Sequence, residues 1–224
     1  MSQGVILVAS AGNSGPNGMG IPGAFPEIIS VGAAGANFHD FPLFSDDPRP
    51  ALFGIPNTET QLDDVNDAPN DETEVADNVY VFNFSSRELP ADGLPPTARQ
   101  DLDVIAPGGW IIAPWFAFAT GTGISRPPPP TPDPNLHQGF AFNFGTSFSA
   151  PHVTAVVALM LDKNPNLTQA QVEALLEATA VSIPAPGQDS PLSDTRVLSG
   201  TQVWGSDATG AGYVNALRVL SAVP

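Results

Sequence analysis

Cysteine is absent from these 224 residues, which excludes disulfides and thiolate metal sites and leaves the redox compartment unspecified. Basic side chains are nearly as scarce: seven Lys and Arg, with Lys163 the only lysine, stand against 23 Asp and Glu, a formal charge of -16. A surface of that sign repels phosphate backbones and anionic lipid, so nucleic acid and membrane are excluded as partners. What it favours stays open among solubility in salt, solubility at low pH and cation binding. No apolar run approaches the ~20 residues that cross a bilayer, and the first residues lack the basic region and processing site of a signal peptide. Instead, Met1-Ser2-Gln3-Gly4 runs almost at once into a strand-like segment. With 42% hydrophobic composition the chain can build the core of one α/β domain, or a large part of a bigger one.

Residues 5–9 form a continuous apolar, β-branched run that reads as a central parallel strand covered on both faces. It ends in the glycine-rich loop Ser10-Ala11-Gly12-Asn13-Ser14-Gly15, at the strand end where open α/β sheets bind ligands. A second strand is expected at 28–31, closing in 32–35, whose small residues permit tight turns and close backbone approach. Residues 46–77 carry ten Asp or Glu against the single Arg49. They read as an acidic surface excursion rather than a calcium loop, because their spacing lacks the EF-hand pattern. Strand character returns at 79–84, leading to Ser85-Ser86-Arg87, and again at 102–109 and 110–113. Residues 120–137 include four consecutive prolines, which cannot pair in a sheet and read as a surface insertion.

Two helices are well marked. In the first, Val153, Val156, Val157 and Met160 follow the i, i+3, i+4, i+7 pattern while Ala155, Ala158, Leu159 and Leu161 fill the other faces, which predicts a helix buried nearly all round. Asn164-Pro165 ends it. The second opens on a Thr168/Gln171 capping box, with Val172, Leu175 and Leu176 inward and Glu173 and Glu177 outward. A glycine turn at 209–212 leads into a short helix through Leu220. There is no internal repeat and no boundary between two domains.

The chemistry concentrates where 143–152 turns at Gly145 and enters the first helix. Pro151 has no N–H to donate and suits a first turn, which places the helix start near Ser147. There, unpaired backbone N–H groups and the positive end of the helix dipole favour negative charge on a neighbouring oxygen. A serine hydroxyl needs a base to take its proton and donors to stabilise the oxyanion it creates. The Ser147 N–H can be one donor. The Asn13 amide can be the other, since its NH₂ donates without carrying charge. Taken singly, Ser147 also suits a helix N-cap and Asn13 a turn.

Gly145-Thr146-Ser147 followed by Ala150-Pro151-His152 resembles the nucleophile motif of the subtilases, the subtilisin-like serine proteases. Ala11-Gly12-Asn13-Ser14-Gly15 is similar to that family's oxyanion loop. Three more segments match in order: 21–33, then Asp103-Val104-Ile105-Ala106-Pro107-Gly108, then 210–216. The resemblance implies an α/β, subtilisin-like three-layer fold with a mostly parallel sheet, incomplete because it holds the C-terminal part of the domain. Residues 1–224 would be that partial domain, with an acidic insertion at about 45–78 and a Pro-rich one at about 120–138. It implies Ser147 as the nucleophile of a serine endopeptidase and Asn13 in the oxyanion hole. Ser10, Ala11 and Gly12 would form one wall of a substrate pocket, with Gly20 at its foot; such small residues imply a roomy, mainly apolar pocket. The substrate would be polypeptide, the chemistry would need no cofactor, structural calcium is conceivable but unsupported by any motif, and the parent protein would be extracellular.

The family's catalytic aspartate and histidine motifs are missing. Of the three histidines, His152 follows Ser147 by five residues on one helix and is turned roughly 140° away at ~100° per residue. It is expected to pack against the helix. His39 and His137 sit at the edges of the two insertions. The reading is therefore a truncated chain, inactive alone, with exposed strand edges that leave it poorly soluble or dependent on the missing N-terminal part. A non-catalytic remnant that binds peptides or a partner chain is the alternative. An α/β-hydrolase is disfavoured because Ser149 breaks its Gly-x-Ser-x-Gly elbow.

Overall fold

The structure, a computed structural model, describes residues 4–36, 79–89, 100–109, 111–114, 140–183, 187–188 and 203–224. Both expected insertions, together with His39 and His137, lie outside the described residues. The central strand is β2 (Ile29–Ala36). β1 (Val8–Ser10) pairs with it in parallel, Val8 opposite Ile29 and Ser10 opposite Val31. β4 (Val104–Pro107) pairs in parallel along its other edge, from Val31↔Val104 to Ala34↔Pro107. β3 (Val79–Val81) runs antiparallel to the far end of β2, with Ala34 opposite Val81. Bridges from Tyr213 to Ile105 and to Val181 widen the sheet beyond β4. Apart from this sheet, β5 (Ile111–Pro114) pairs with β6 (Phe140–Asn143), and β7 (Gly187–Gln188) with β8 (Val203–Trp204), both antiparallel.

Strand alternation sorts the core into two sides. Ile29, Val31, Val104 and Ala106 face a helical layer. Ile105, Ala34 and Leu102 face the other way, against Val79, Val81, Ile183, Trp204 and Ala208. The helical layer holds α1 (Thr146–Lys163), α2 (Gln169–Thr179) and α3 (Ala216–Ala222). α1 lies against β1, β2 and β4 through Val153, Val156, Val157 and Met160. Each such side chain, fully buried, contributes ~1.5–3 kcal/mol. Helices, sheet and a layer of loops with a 3-10 turn at Ser206–Ala208 form the three layers.

Several local expectations change. Of the tight turn and the close backbone approach expected at 32–35, only the approach is found: β2 runs straight through to Ala36. A Cβ at Gly32 would lie 2.9 Å from Ile105 Cγ2 and 3.1 Å from Ser85 Oγ. The strand expected at 79–84 ends at Val81, with one further bond from Phe82 N to Ala33 O (3.0 Å); beyond it Phe82 and Phe84 stack on each other, 5.0 Å between ring centroids, with Phe144 edge-on to Phe82. β1 is shorter than 5–9 and half-buried, since among the described residues only its β2 edge is paired. Upstream, the Gln169 side chain closes that ladder by accepting from Leu7 N (2.8 Å) and donating to Leu7 O (3.2 Å). α1 begins one residue before Ser147 and carries Pro151 inside it, which deprives the Ser147 carbonyl of a helical donor. Nor is α1 buried all round: Ala155 and Ala158 are exposed and Leu159 is 51% exposed.

The capping box on α2 forms as expected, Thr168 Oγ1 accepting from Gln171 N and Gln171 Oε1 from Thr168 N. Its acidic face does not simply point to solvent. Glu173 is half-buried, and its carboxylate, that of Glu177 and that of buried Asp103 lie within 4.8 Å of one another. Asp103 is held by Ser30, whose N–H donates to Oδ2 at 2.6 Å and whose Oγ lies 2.7 Å from it. Burial pushes Asp103 and Glu177 above the usual carboxylate range. Burial first, then the charges of Asp103, Glu177 and Asp101, pushes Glu173 up to about 7. The sole lysine does the opposite work at the other end of the layer: Lys163 Nζ donates to Leu220 O (2.9 Å) and Val223 O (2.8 Å), carbonyls at the C-terminus of α3.

Two stability predictions follow from these charges. Because the folded state holds the Glu173 proton more tightly than the ordinary value of 4.5, stability present at pH 4.5 is lost as pH rises through about 7. Glu173→Gln should raise the thermal midpoint by a few degrees at pH 8 and leave it unchanged at pH 4.5, read by circular dichroism melts. Lys163→Met should lower the midpoint by ~2–4 °C, the equivalent of ~1 kcal/mol of lost charged hydrogen bonding in a chain of this size.

Candidate functional site

The site forms where the loop after β1 meets the first turn of α1. Gly145 makes the turn possible. Its φ of +137° is a conformation that residues with a Cβ avoid, and a Cβ there would lie 3.4 Å from Asn13 Nδ2. The turn is fixed by Gly145 N donating to Gly108 O (2.7 Å) and Phe148 N donating to Gly145 O (2.9 Å). Ser147 then stands exposed in the first helical turn, where an amide has no intrahelical acceptor.

Asn13, also exposed, is tied to the same turn through its side-chain oxygen. Oδ1 accepts from Thr146 N at 2.9 Å and from Thr146 Oγ1 at 3.0 Å. The Thr146 hydroxyl in turn accepts from Gly12 N at 3.2 Å. A flipped amide would lose the bond from Thr146 N, so Oδ1 faces Thr146 and the NH₂ group lies by Gly145, 3.4 Å from where a Cβ would stand. Thr146 is fully buried. It was not singled out from the sequence. The only sequence signal for it is a small hydroxyl residue at the helix entry, which is equally the mark of an ordinary cap.

The four expected pocket residues are brought together. Gly20 N donates to Ala11 O (2.7 Å), and a Cβ at Gly20 would meet only Ala11 O at 3.7 Å and Gly12 Cα at 3.9 Å. Gly23 packs its backbone on the Ser10 carbonyl. Ser10 and Gly12 are half-buried, Ala11 is buried and Gly20 is exposed. Small side chains therefore leave the space next to Gly20 open.

No described histidine meets Ser147. His152 is exposed rather than packed, and its Nδ1, which must carry the hydrogen, lies 2.7 Å from Phe148 O. The turn of the helix that separates it from Ser147 thus directs it to a backbone carbonyl. The carboxylates of Asp103, Glu173 and Glu177 are the group among the described residues whose spacing could hold a metal ion. They belong to the start of β4 and to α2, whereas Asn13 and Ser147 gather beyond the carboxyl end of β1. Among the described residues no helix is long and apolar enough to cross a membrane.

Comparison with known proteins shows the family and the fold. The sequence model of the subtilase family, Peptidase S8, matches residues 1–209. The chain is 33% identical over 151 residues to the subtilisin-like protease SBT2.1 of Arabidopsis thaliana, covering 65% of this chain and 16% of that protein. It is 34% identical over 56 residues to an extracellular serine protease of Serratia marcescens, covering 25% of this chain and 5% of that protein. In structure it is similar to fervidolysin from Fervidobacterium pennivorans, a keratinolytic enzyme related to subtilisin, with a TM-score of 0.52 and 25% identity over 99% of this chain and 23% of that one. The chain spans about a sixth of the length of the plant relatives it matches. Its match to the family nonetheless runs from residue 1, ahead of β1, to residue 209, beyond α2, and the chain belongs to the subtilase family.

Proposed function

We propose that this chain carries the nucleophile and the oxyanion-binding groups of a serine-type endopeptidase. The observation that carries the reading is the Thr146 clamp, which ties the Asn13 amide to the same helical turn that holds the exposed Ser147. In this reading Ser147 Oγ attacks the carbonyl carbon of a peptide bond in a polypeptide substrate. Its proton passes to a base, and the carbonyl oxygen becomes an oxyanion held by the Ser147 N–H and by Asn13 Nδ2. Collapse of that intermediate expels the amine, which takes up the proton, and leaves an acyl-enzyme that water then hydrolyses. Ser10, Ala11, Gly12 and Gly20 receive the substrate side chain before the cleaved bond. Both donors are amides of the protein itself, so the reading assigns no cofactor to the chemistry.

The base is the part these residues do not provide. His152 is committed to Phe148 O, and neither the aspartate nor the histidine motif of the family occurs in the 224 residues. We assign both to polypeptide outside this chain, and assign the chain alone to the inactive state. An extracellular setting for the whole protein is proposed on the family membership and on the Serratia relative's name. The engagement of His152 also favours a second reading, in which the groove binds peptide without cutting it.

Labelling with a serine-directed fluorophosphonate separates the two. Endopeptidase function predicts labelling at Ser147 in the full-length protein, its loss in Ser147→Ala, and little labelling of the 224-residue chain alone. No labelling of Ser147 in the full-length protein would leave the peptide-binding reading. Asn13→Ala should lower kcat by ~10²–10³, a value borrowed from the corresponding asparagine of subtilisin itself. Thr146→Val keeps the backbone donor to Asn13 but loses the hydroxyl. It should lower kcat by ~10-fold with KM nearly unchanged, measured on a peptide substrate.

A further inference from the structure

Ser85-Ser86-Arg87 follows β3 and has no part in the chemistry above, yet this segment and the preceding Phe84 are bonded to the oxyanion loop at Gly12, Ser14 and Gly15. Gly15 N donates to Phe84 O (3.0 Å), Ser86 N to Gly12 O (3.0 Å) and Arg87 N to Gly15 O (3.1 Å). The Ser86 hydroxyl adds a fourth bond by accepting from Ser14 N at 3.1 Å. Ser86 is fully buried, and the approach is close: a Cβ at Gly12 would lie 2.9 Å from Ser86 Oγ.

Residues 12 and 14 are thus both held by Ser86, one at its carbonyl and one at its amide. Between them lies Asn13. A peptide plane fixed on each side of a residue fixes the direction of its Cα–Cβ bond. Thr146 restrains the side-chain oxygen from the opposite direction. The donor is therefore set by two separate restraints, one on the backbone and one on the amide.

We propose that Ser86 is a positioning residue for the oxyanion donor, acting through Asn13 and without touching substrate. The inference rests on the endopeptidase reading. Removing its hydroxyl leaves the Ser14 N–H without an acceptor and frees the peptide after Asn13 to rotate. Such a displacement weakens a donor that matters only when negative charge develops, so its signature is a loss in kcat and not in KM.

The test is a double-mutant cycle in the full-length protein, with kcat and KM measured on a peptide substrate for wild type, Ser86→Ala, Asn13→Ala and the pair. Ser86→Ala should lower kcat by ~10–100-fold, with KM within ~2-fold. In the Asn13→Ala background the same change should cost less than ~3-fold, because the group it positions is gone. A loss of the same size in both backgrounds, or a loss carried by KM, would overturn the proposal and leave the oxyanion reading intact. An Asn13→Ala variant with unchanged kcat would overturn the oxyanion reading, and this inference with it. Should Ser86→Ala fail to fold, Ser86→Cys fills the same space with a weak acceptor. It should show the same split between kcat and KM and the same dependence on Asn13, and its absence would count equally against the proposal.

Discussion

Two side-chain oxygens, Asn13 Oδ1 and Thr146 Oγ1, join the two halves of the site. Asn13 Oδ1 belongs to the loop after β1 and is held by the N–H and hydroxyl of Thr146, the first residue of α1. These elements are 133 residues apart in sequence. The parallel pairing of β1 with β2 brings the loop to the carboxyl end of the sheet, and α1 packs on the same three strands, so its N-terminus arrives at that end too. Neither placement suffices at the scale of a hydrogen bond. The Thr146 contacts convert a meeting of two elements into a defined direction for one N–H group, which is what transition-state stabilisation requires.

Packing of small residues lets those elements approach. Gly32, Ala33 and Ala34 in β2 accept Ser85, Ile105 and the backbone of Gly108 at short range. Ala33 N donates to Ser85 Oγ at 2.9 Å. The same serine-rich segment then continues to Ser86 and the oxyanion loop, so the centre of the sheet and the rim of the site share one support. Composition alone allows a turn or a close approach for a run of glycine and alanine, because glycine's backbone freedom and its small size are the same property seen from sequence. Only neighbours tell which is in use, and here the neighbours are Ile105 and Ser85.

Legibility followed the range of the interactions. The capping box at Thr168, the inward set Val153, Val156, Val157 and Met160, and the end of α1 at Lys163 depend on residues within one or two turns, and all were readable. The placement of Ser147 in the first helical turn came from Pro151 and was met by the fold, where Asn13 is bonded to Thr146 of the same turn. Thr146 and Ser86 were not readable as positioning groups. Their roles depend on which backbone amide arrives from far away, and a serine or threonine shows no preference in sequence between a turn, a cap and a brace. Glu177 is exposed as expected, but Glu173 was misplaced for the same reason. Periodicity put Glu173 on the outer face, but outer with respect to Val172 and Leu176 still reaches Asp103 at the sheet margin.

The surfaces left open bear on the chemistry left open. α1 is apolar on nearly every side, yet among the described residues its Ala155, Ala158 and Leu159 face outward, and β1 is paired on one edge only. A helix and a strand of such composition ordinarily lie inside a domain. The deficit is one of apolar cover along α1 and β1, the elements that end at Ser147 and at the Asn13 loop. In the proposed function one body of polypeptide meets both needs: it covers these faces and brings a histidine to a serine that already has its oxyanion donors. Stability and activity would then be gained in the same docking step. In that proposal hydrophobic cover would supply the affinity, and the Thr146 and Ser86 restraints would allow the site to form without rearrangement on the side already built.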